Sequence, residues 1–287
     1  MSSATPHATA AAPALDVRGV DVTLEGNPIL RGAGFTVARG SLVAMVGPNG
    51  AGKSTLARAA AGMQKVGAGS IACHGEDVLA SRGRKLARMR AFIPQRPTVP
   101  EGIRVDEALT IGRSPHLGLL GRPTKHDREA IELAKERTRI TQFGDRFLTT
   151  LSGGELQRVQ IAVALAQEAP LLIADEPTSE LDLGATVEVA HLLRTLADEG
   201  FAVLLVVHDL SLAAAIADSV VVISKGHAIA QGPPHEVLTQ ERLAEVWQVE
   251  AALESSATGT ALRVSWLDRS RIAGAEANMD DTEDENR

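Results

Sequence analysis

Residues 41–55, Ser-Leu-Val-Ala-Met-Val-Gly-Pro-Asn-Gly-Ala-Gly-Lys-Ser-Thr, constrain the fold more than any other stretch of this chain. An apolar run from Leu42 to Val46 gives way to a glycine-rich turn and then to a helical pattern from about Ser54 to Ala61. An apolar run without polar alternation is a strand covered on both faces, as in a parallel sheet. The turn matches G-x-x-x-x-G-K-[ST] from Gly47 to Ser54. Its glycines let backbone N–H groups wrap a phosphate chain, and the helix N-terminus adds a favourable dipole. Lys53 is placed to reach the β- and γ-phosphates, and Ser54 to ligate Mg²⁺. The competing reading is a glycine-rich turn with a chance Lys-Ser, and the flanking strand and helix argue against it.

The same signature returns later. Leu171 to Asp175 (LLIAD) and Phe201 to His208 (FAVLLVVH) are continuous apolar runs that end in polar residues. Residues 184–198 and 211–217 read as helices alternating with them. Before the glycine-rich turn, residues 15–38 alternate in strand fashion, and residues 69–79 read as strand, turn and strand around Gly75. Residues 90–93 give a further short strand. Between about 98 and 165 the character changes: 107–111, 127–139 and a segment after Ser152 read as helices with charged faces. The pattern therefore predicts an α/β core interrupted by a helical segment. Strands near 219–230, a helix near 240–247 and a hairpin closing at Thr258-Gly259 follow.

Several strand ends carry chemistry. Asp175 closes LLIAD, and a carboxylate there suits a hard cation. Glu176 follows it on a different side, placed to orient or deprotonate an attacking water. His208 closes the next run, within reach of a γ-phosphate and its departing charge. Gln95, in FIPQRP, follows the strand at 90–93, and its amide is a candidate for Mg²⁺ or the water. A second anion site is spelled by Leu151-Ser152-Gly153-Gly154-Glu155, a Ser-Gly-Gly turn opening onto a helix. The plainer alternative for that stretch is a helix cap made by Ser152.

Composition narrows the function classes. The net charge of −7 argues against general nucleic-acid binding. Residues 271–287 hold six acids against Arg271 and Arg287, which predicts a solvated, disordered end. Aromatics are 2% with no Tyr, so the core must be aliphatic. The single cysteine, Cys73, excludes an internal disulfide, and a reducing compartment fits. Beside His74 it forms no C-x-x-C-H, and it reads as a small buried residue. Residues 1–14 make a poor signal peptide, and no apolar run approaches the ~20 residues of a membrane span.

In this order, the motifs resemble the ATPase subunit of ATP-binding cassette (ABC) transporters. Gly47, Pro48, Asn49, Gly50, Ala51, Gly52, Lys53, Ser54 and Thr55 resemble Walker A, Gln95 the Q-loop, LSGGE the signature, LLIADE Walker B, Ser179 to Asp182 the D-loop and His208 the switch histidine. The resemblance implies a P-loop NTPase cassette with a RecA-like core, an antiparallel β subdomain and an inserted helical subdomain. It implies ATP and Mg²⁺ as cofactors, with Glu176, His208 and Gln95 catalytic and Ser54, Gln95 and Asp175 around the metal. It also implies a head-to-tail dimer, in which Ser152, Gly153 and Gly154 of one copy close over the ATP held by the other. Two phosphate sites in one chain would then serve two nucleotides.

The family's usual adenine-stacking aromatic has Leu24 in its place here, and the D-loop reads SELD where SALD is common. GIRVDEALTIGRSPHLGLL and LSGGELQRVQIAVALAQ are similar to the ATPases of iron-chelate, haem and vitamin B12 importers, nearest those for haem (hemin). The expected partners are a second copy, two permease subunits and, indirectly, a periplasmic binding protein, with no nucleic acid. The expected place is the cytoplasmic face of a bacterial inner membrane. The expected boundaries are a disordered arm at 1–14, the cassette at 15–253 with its helical insert at about 98–165, and a C-terminal hairpin and acidic tail at 254–287.

Overall fold

The computed structural model describes residues 12–96, 98–118, 121–256 and 259–264. Most of the expected N-terminal arm and the acidic tail beyond 264 lie outside the described residues. The chain opens with two long antiparallel strands, β1 (Leu15–Leu24) and β2 (Asn27–Val37), then enters the core through β3 (Leu42–Val46) and helix α1 (Lys53–Ala60). It returns to the first sheet with β4 (Ala68–Cys73) and β5 (Glu76–Asp77). Helix α2 (Gly83–Met89) leads into β6 (Arg90–Ile93). The sequence pattern misses α2, because its seven residues bury only Leu86 and leave no apolar stripe to read.

Next come α3 (Val105–Gly112), α4 (Lys125–Thr138) and α5 (Gly153–Ala166), the helical segment that separates β6 from β7 (Leu171–Asp175). Helix α6 (Leu183–Asp198), β8 (Ala202–Val206), α7 (Leu210–Ile216), β9 (Ser219–Ser224) and β10 (His227–Gly232) complete the core. Helices α8 (Pro234–Val237) and α9 (Gln240–Trp247) precede a terminal hairpin of β11 (Ala251–Ser256) and β12 (Gly259–Val264). Gly259 opens β12 and pairs with Ser256; Thr258, the other residue of the expected turn, lies outside the described residues.

The central sheet has the order β10-β9-β3-β8-β7-β6, parallel except for β10 at its edge. All five residues of β3, β7 and β8 are buried. Side chains alternate across such a strand. Leu42, Ala44 and Val46 join one aliphatic cluster, while Val43 and Met45 join the cluster on the opposite face. That two-sided burial is why the runs show no polar alternation. The antiparallel sheet, β2-β1-β4-β5, lies against the second cluster. Gln231 on β10 ties the two sheets together: its amide accepts from Thr36 N at 3.0 Å and donates to Thr36 O at 2.7 Å.

The GRSPH stretch is a mechanical joint. Arg113 is fully buried. Its Nε and Nη2 donate to Asp127 Oδ1 at 2.9 and 2.8 Å, and its Nη1 donates to Ala166 O at 2.8 Å and Glu168 Oε2 at 2.6 Å. His116 Nε2 meets Gln167 O at 2.8 Å, and Pro115 O accepts from Arg88. A Cβ on Gly112 would stand 2.6 Å from Val163 O, so only glycine lets α3 approach α5 this closely. These contacts lock α3 and α4 to the end of α5, and hence to the strand that carries Asp175.

Candidate nucleotide site

Parallel strands deliver their functional loops at their C-terminal ends. Register aligns those ends here. Ile93 pairs with Ala174, Asp175 with Val206, and Val206 with Met45. The residues just beyond (Gly47, Gln95, Glu176 and His208) therefore leave the sheet at one level. Glu176 N donates to Val206 O at 3.0 Å and Val207 N to Met45 O at 3.1 Å, extending the ladder to the brink of the site.

The turn after β3 is held open by glycine. Gly47 has φ 155° and its absent Cβ would fall 2.1 Å from Ile223 O. Gly52 has φ 103°, a left-handed conformation that starts α1 without a side-chain cap. The first N–H groups of α1 thus remain for a ligand. Lys53 is buried, and its Nζ donates to Gly47 O at 2.8 Å and Pro48 O at 3.0 Å. Burial lowers its pKa, against the raising pull of Glu176 and Asp175. Asn49 and Gly50 are exposed at the rim, and Ala51 N closes the turn onto Pro48 O. Thr55 follows Ser54 on α1, partly exposed.

Ser54 Oγ donates to Asp175 Oδ1 at 2.9 Å. Asp175 is fully buried, and its Oδ2 has no hydrogen-bond partner. Burial raises its pKa; the Ser54 bond opposes this, while the neighbouring Glu176 charge adds to it. An unpaired buried carboxylate oxygen beside a serine hydroxyl is a donor set that fits Mg²⁺.

Glu176 is a buried residue at φ 51°, a left-handed conformation that turns its side chain away from Asp175. Its Oε1 lies 2.5 Å from His208 Nε2 and its Oε2 accepts from Gln95 Nε2 at 2.5 Å. The structure thus gathers the sequence-expected residues into two neighbouring groups: Lys53, Ser54 and Asp175 in one, Gln95, Glu176 and His208 in the other. Gln95 meets the carboxylate of Glu176 rather than the Ser54–Asp175 pair.

Ser152, Gly153 and Gly154 stand apart. They line a separate open concavity of about 410 Å³ with Glu180, Leu181 and Asp182, and no residue of 47–55 shares it. Ser152 does cap α5: its hydroxyl accepts from Glu155 N, and Glu155 returns a bond to Ser152 N at 2.8 Å. The cap aligns α5 and leaves the N–H groups of Gly153 and Gly154 pointing out of its first turn.

Leu24, where the adenine-stacking aromatic was sought, ends β1 half-buried against aliphatic neighbours. Cys73 is fully buried, and burial pushes its thiol up to about 12. His74 lies in the left-handed turn after β4, at φ 50°, rather than on the strand with Cys73. Sequence reading missed the pairing of Arg96 with Glu180, at 3.3 Å. The extra acid of SELD was its only signal.

Residues 30–179 match the ABC transporter family. The hemin import ATP-binding protein HmuV of Rhodococcus jostii is 40% identical over 262 residues, covering 90% of this chain and 88% of that protein. The cobalamin import ATP-binding protein BtuD of Halobacterium salinarum is 39% identical over 92% of this chain. This chain spans 66% of that longer protein, just under two thirds. Among solved structures, a metal-chelate type ABC transporter in an inward-facing conformation superposes with a TM-score of 0.78 at 26% identity, covering 89% of this chain and 99% of that one. Cassettes of this kind use ATP with Mg²⁺.

Proposed function

The chain belongs to the ABC transporter family, and from that premise we propose that it is the ATP-hydrolysing subunit that powers import of haem through a separate permease. The observation that carries the mechanism is the separation of the two anion sites. The phosphate loop at 47–55 and the Ser152–Gly154 concavity share no lining residue. A second copy, turned head to tail, brings the concavity of one chain over the phosphate loop of the other. ATP then bridges the copies, and hydrolysis removes the bridging charge and loosens them.

Each residue has a physical task in this reading. Gly47 to Thr55 supply backbone donors and the Lys53 ammonium to the phosphates. Ser54 and Asp175 would hold Mg²⁺, with Gln95 moving in beside them; the cation, when bound, screens charge on the phosphates. Glu176 orients the attacking water and accepts its proton. His208 sits against Glu176 and faces the departing phosphate's charge. Ser152, Gly153 and Gly154 donate to the γ-phosphate of the partner copy.

Among the described residues no helix is long and apolar enough to cross a membrane. We place the chain on the cytoplasmic face of a bacterial inner membrane, held by its permease. An apolar groove of about 250 Å³, lined by Phe92, Pro94, Val99, Ile103, Ile111 and Leu156, lies beside Gln95. It would receive a short helix from a permease subunit, so that ATP closure moves the permease between its two states. A periplasmic binding protein would act through the permease. The cassette would span 15–253 with its helical insert at about 98–165.

Glu176→Gln tests the chemistry. It is expected to keep ATP binding, lower turnover by about 10²-fold or more, and accumulate an ATP-bound dimer. Wild-type turnover in that variant would remove Glu176 from its role. Cargo is tested in proteoliposomes holding this chain and its permease, with haem-, cobalamin- and siderophore-loaded binding proteins added in turn. Haem-specific uptake supports the reading. The cobalamin import relative makes cobalamin the second candidate, and stimulation by it would reassign the cargo.

A further inference from the structure

In this structure both oxygens of Glu176 are engaged, one by His208 and one by Gln95. In the proposed function Gln95 moves in beside Ser54 and Asp175, a shift of its amide from the Glu176 carboxylate on which it rests here. The residue after Gln95 is Arg96, and Arg96 Nε lies 3.3 Å from Glu180 Oε1. Glu180 belongs to the loop that runs from Glu176 to Asp182, and it lines the Ser152–Gly154 concavity. Its backbone is left-handed, at φ 77°, a conformation unfavourable to a residue with a Cβ and kept only where the surroundings hold it. Ser179 N and Oγ, bonded to Glu176 O at 3.1 and 2.9 Å, help to fix that loop.

We infer that Arg96 and Glu180 form a latch that holds Gln95 on Glu176 until a second copy occupies the concavity. This rests on the proposed head-to-tail dimer. Arg96 and Glu180 are positioning residues, acting through Gln95. The side chains of both are mostly exposed, 80% and 70%, so the pair is weak and can be broken by competition. A partner chain entering the concavity meets Glu180 directly and draws it from Arg96. Release of Arg96 frees Gln95, which uncovers one oxygen of Glu176 for water. Occupancy of the dimer face and exposure of the water-activating carboxylate thereby become linked within one chain. A weak pair suffices, because the latch only biases an equilibrium between two positions of Gln95.

The test compares full-length wild type with Glu180→Ala, Arg96→Ala, the double variant and the charge swap R96E/E180R. Steady-state Mg²⁺-ATP turnover of the free chain and the ATP concentration for half-maximal dimerisation are both read. Each single variant is expected to raise turnover, and to lower that ATP concentration, by about 1.5- to 5-fold. The double variant should match the singles, and the charge swap should return to wild type. Relative to Glu180→Ala, which carries the general salt effect on ATP binding, wild type should shift in the same direction when salt is raised until the Debye length falls from about 30 to about 3 Å.

Singles that equal wild type, singles that act in the opposite direction, or a charge swap that fails to rescue them would overturn the latch. Glu176→Gln in the same series separates the two readings. Turnover that survives in it defeats the hydrolytic assignment, whereas Glu176-dependent turnover indifferent to Arg96 and Glu180 defeats only the latch. The dimerisation readout decides the question even where free-chain turnover is slow.

Discussion

Replacing Arg113 with Met is expected to cost this protein about 3–5 kcal/mol, the range for removing one partner from a buried charge pair. The figure follows from what Arg113 leaves behind. Asp127 keeps two bonds from Thr124 but loses two from the guanidinium, and Ala166 O and Glu168 lose one each. Burial pushes the Asp127 carboxyl up, but the Thr124 hydroxyl and N–H and the Arg113 guanidinium together outweigh it and hold the group at about 2. From an ordinary value of 3.8, that shift is worth about 2 kcal/mol. Because the folded value is depressed, this stability is fully present above the unfolded value and is lost as pH falls through about 2.

In Arg113→Met the cation is gone while burial remains, so Asp127 titrates at higher pH than in wild type. Protonation then relieves the stranded charge, and the cost of the substitution shrinks as pH falls from about 7 towards about 4. The double variant Arg113→Met/Asp127→Asn should recover at least half the loss. Equilibrium urea unfolding at both pH values measures this, and hydrogen exchange over α3 and α4 locates it. A cost below about 1 kcal/mol, or one that does not change with pH, would refute the reasoning.

Gly47→Ala is expected to abolish ATP binding, read by a fluorescent nucleotide, because its Cβ has 2.1 Å to Ile223 O; retained affinity would show that the turn can relax. Asp175→Asn should weaken Mg²⁺-dependent ATP binding yet raise the urea midpoint of the empty protein, since a buried carboxyl with a raised pKa costs stability once ionised above that pKa. A lowered midpoint at neutral pH would contradict that account. Ser152→Arg should leave ATP binding to one chain intact while blocking ATP-driven dimerisation, measured by light scattering; dimers formed by the variant would refute the cross-subunit account.

The strands of the core and the glycine-rich turn were legible because burial on both faces writes itself as an uninterrupted apolar run. Asp175 and His208 were legible as the polar residues that end such runs. Helix α2 was not, since one buried leucine in seven residues leaves no periodicity. Glycine was read as a corner of the terminal hairpin, whereas Gly259 pairs in the ladder with Ser256, a partner that only the tertiary pairing reveals.

The sequence by itself named the candidate residues for phosphate and cation, since G-x-x-x-x-G-K-S, LLIAD and LSGGE are local statements about backbone freedom, charge and strand ends. Only the tertiary structure decided which of them meet. Strand register set Gln95, Glu176 and His208 at one level, and left Ser152 to Gly154 on a face apart from the phosphate loop. Likewise GRSPH looked like a family mark, and packing made it a joint around the buried Arg113. Local chemistry depends on neighbours along the chain, whereas register and the pairing of site residues depend on residues from 14 to at least 121 positions away, a relation that no local pattern encodes.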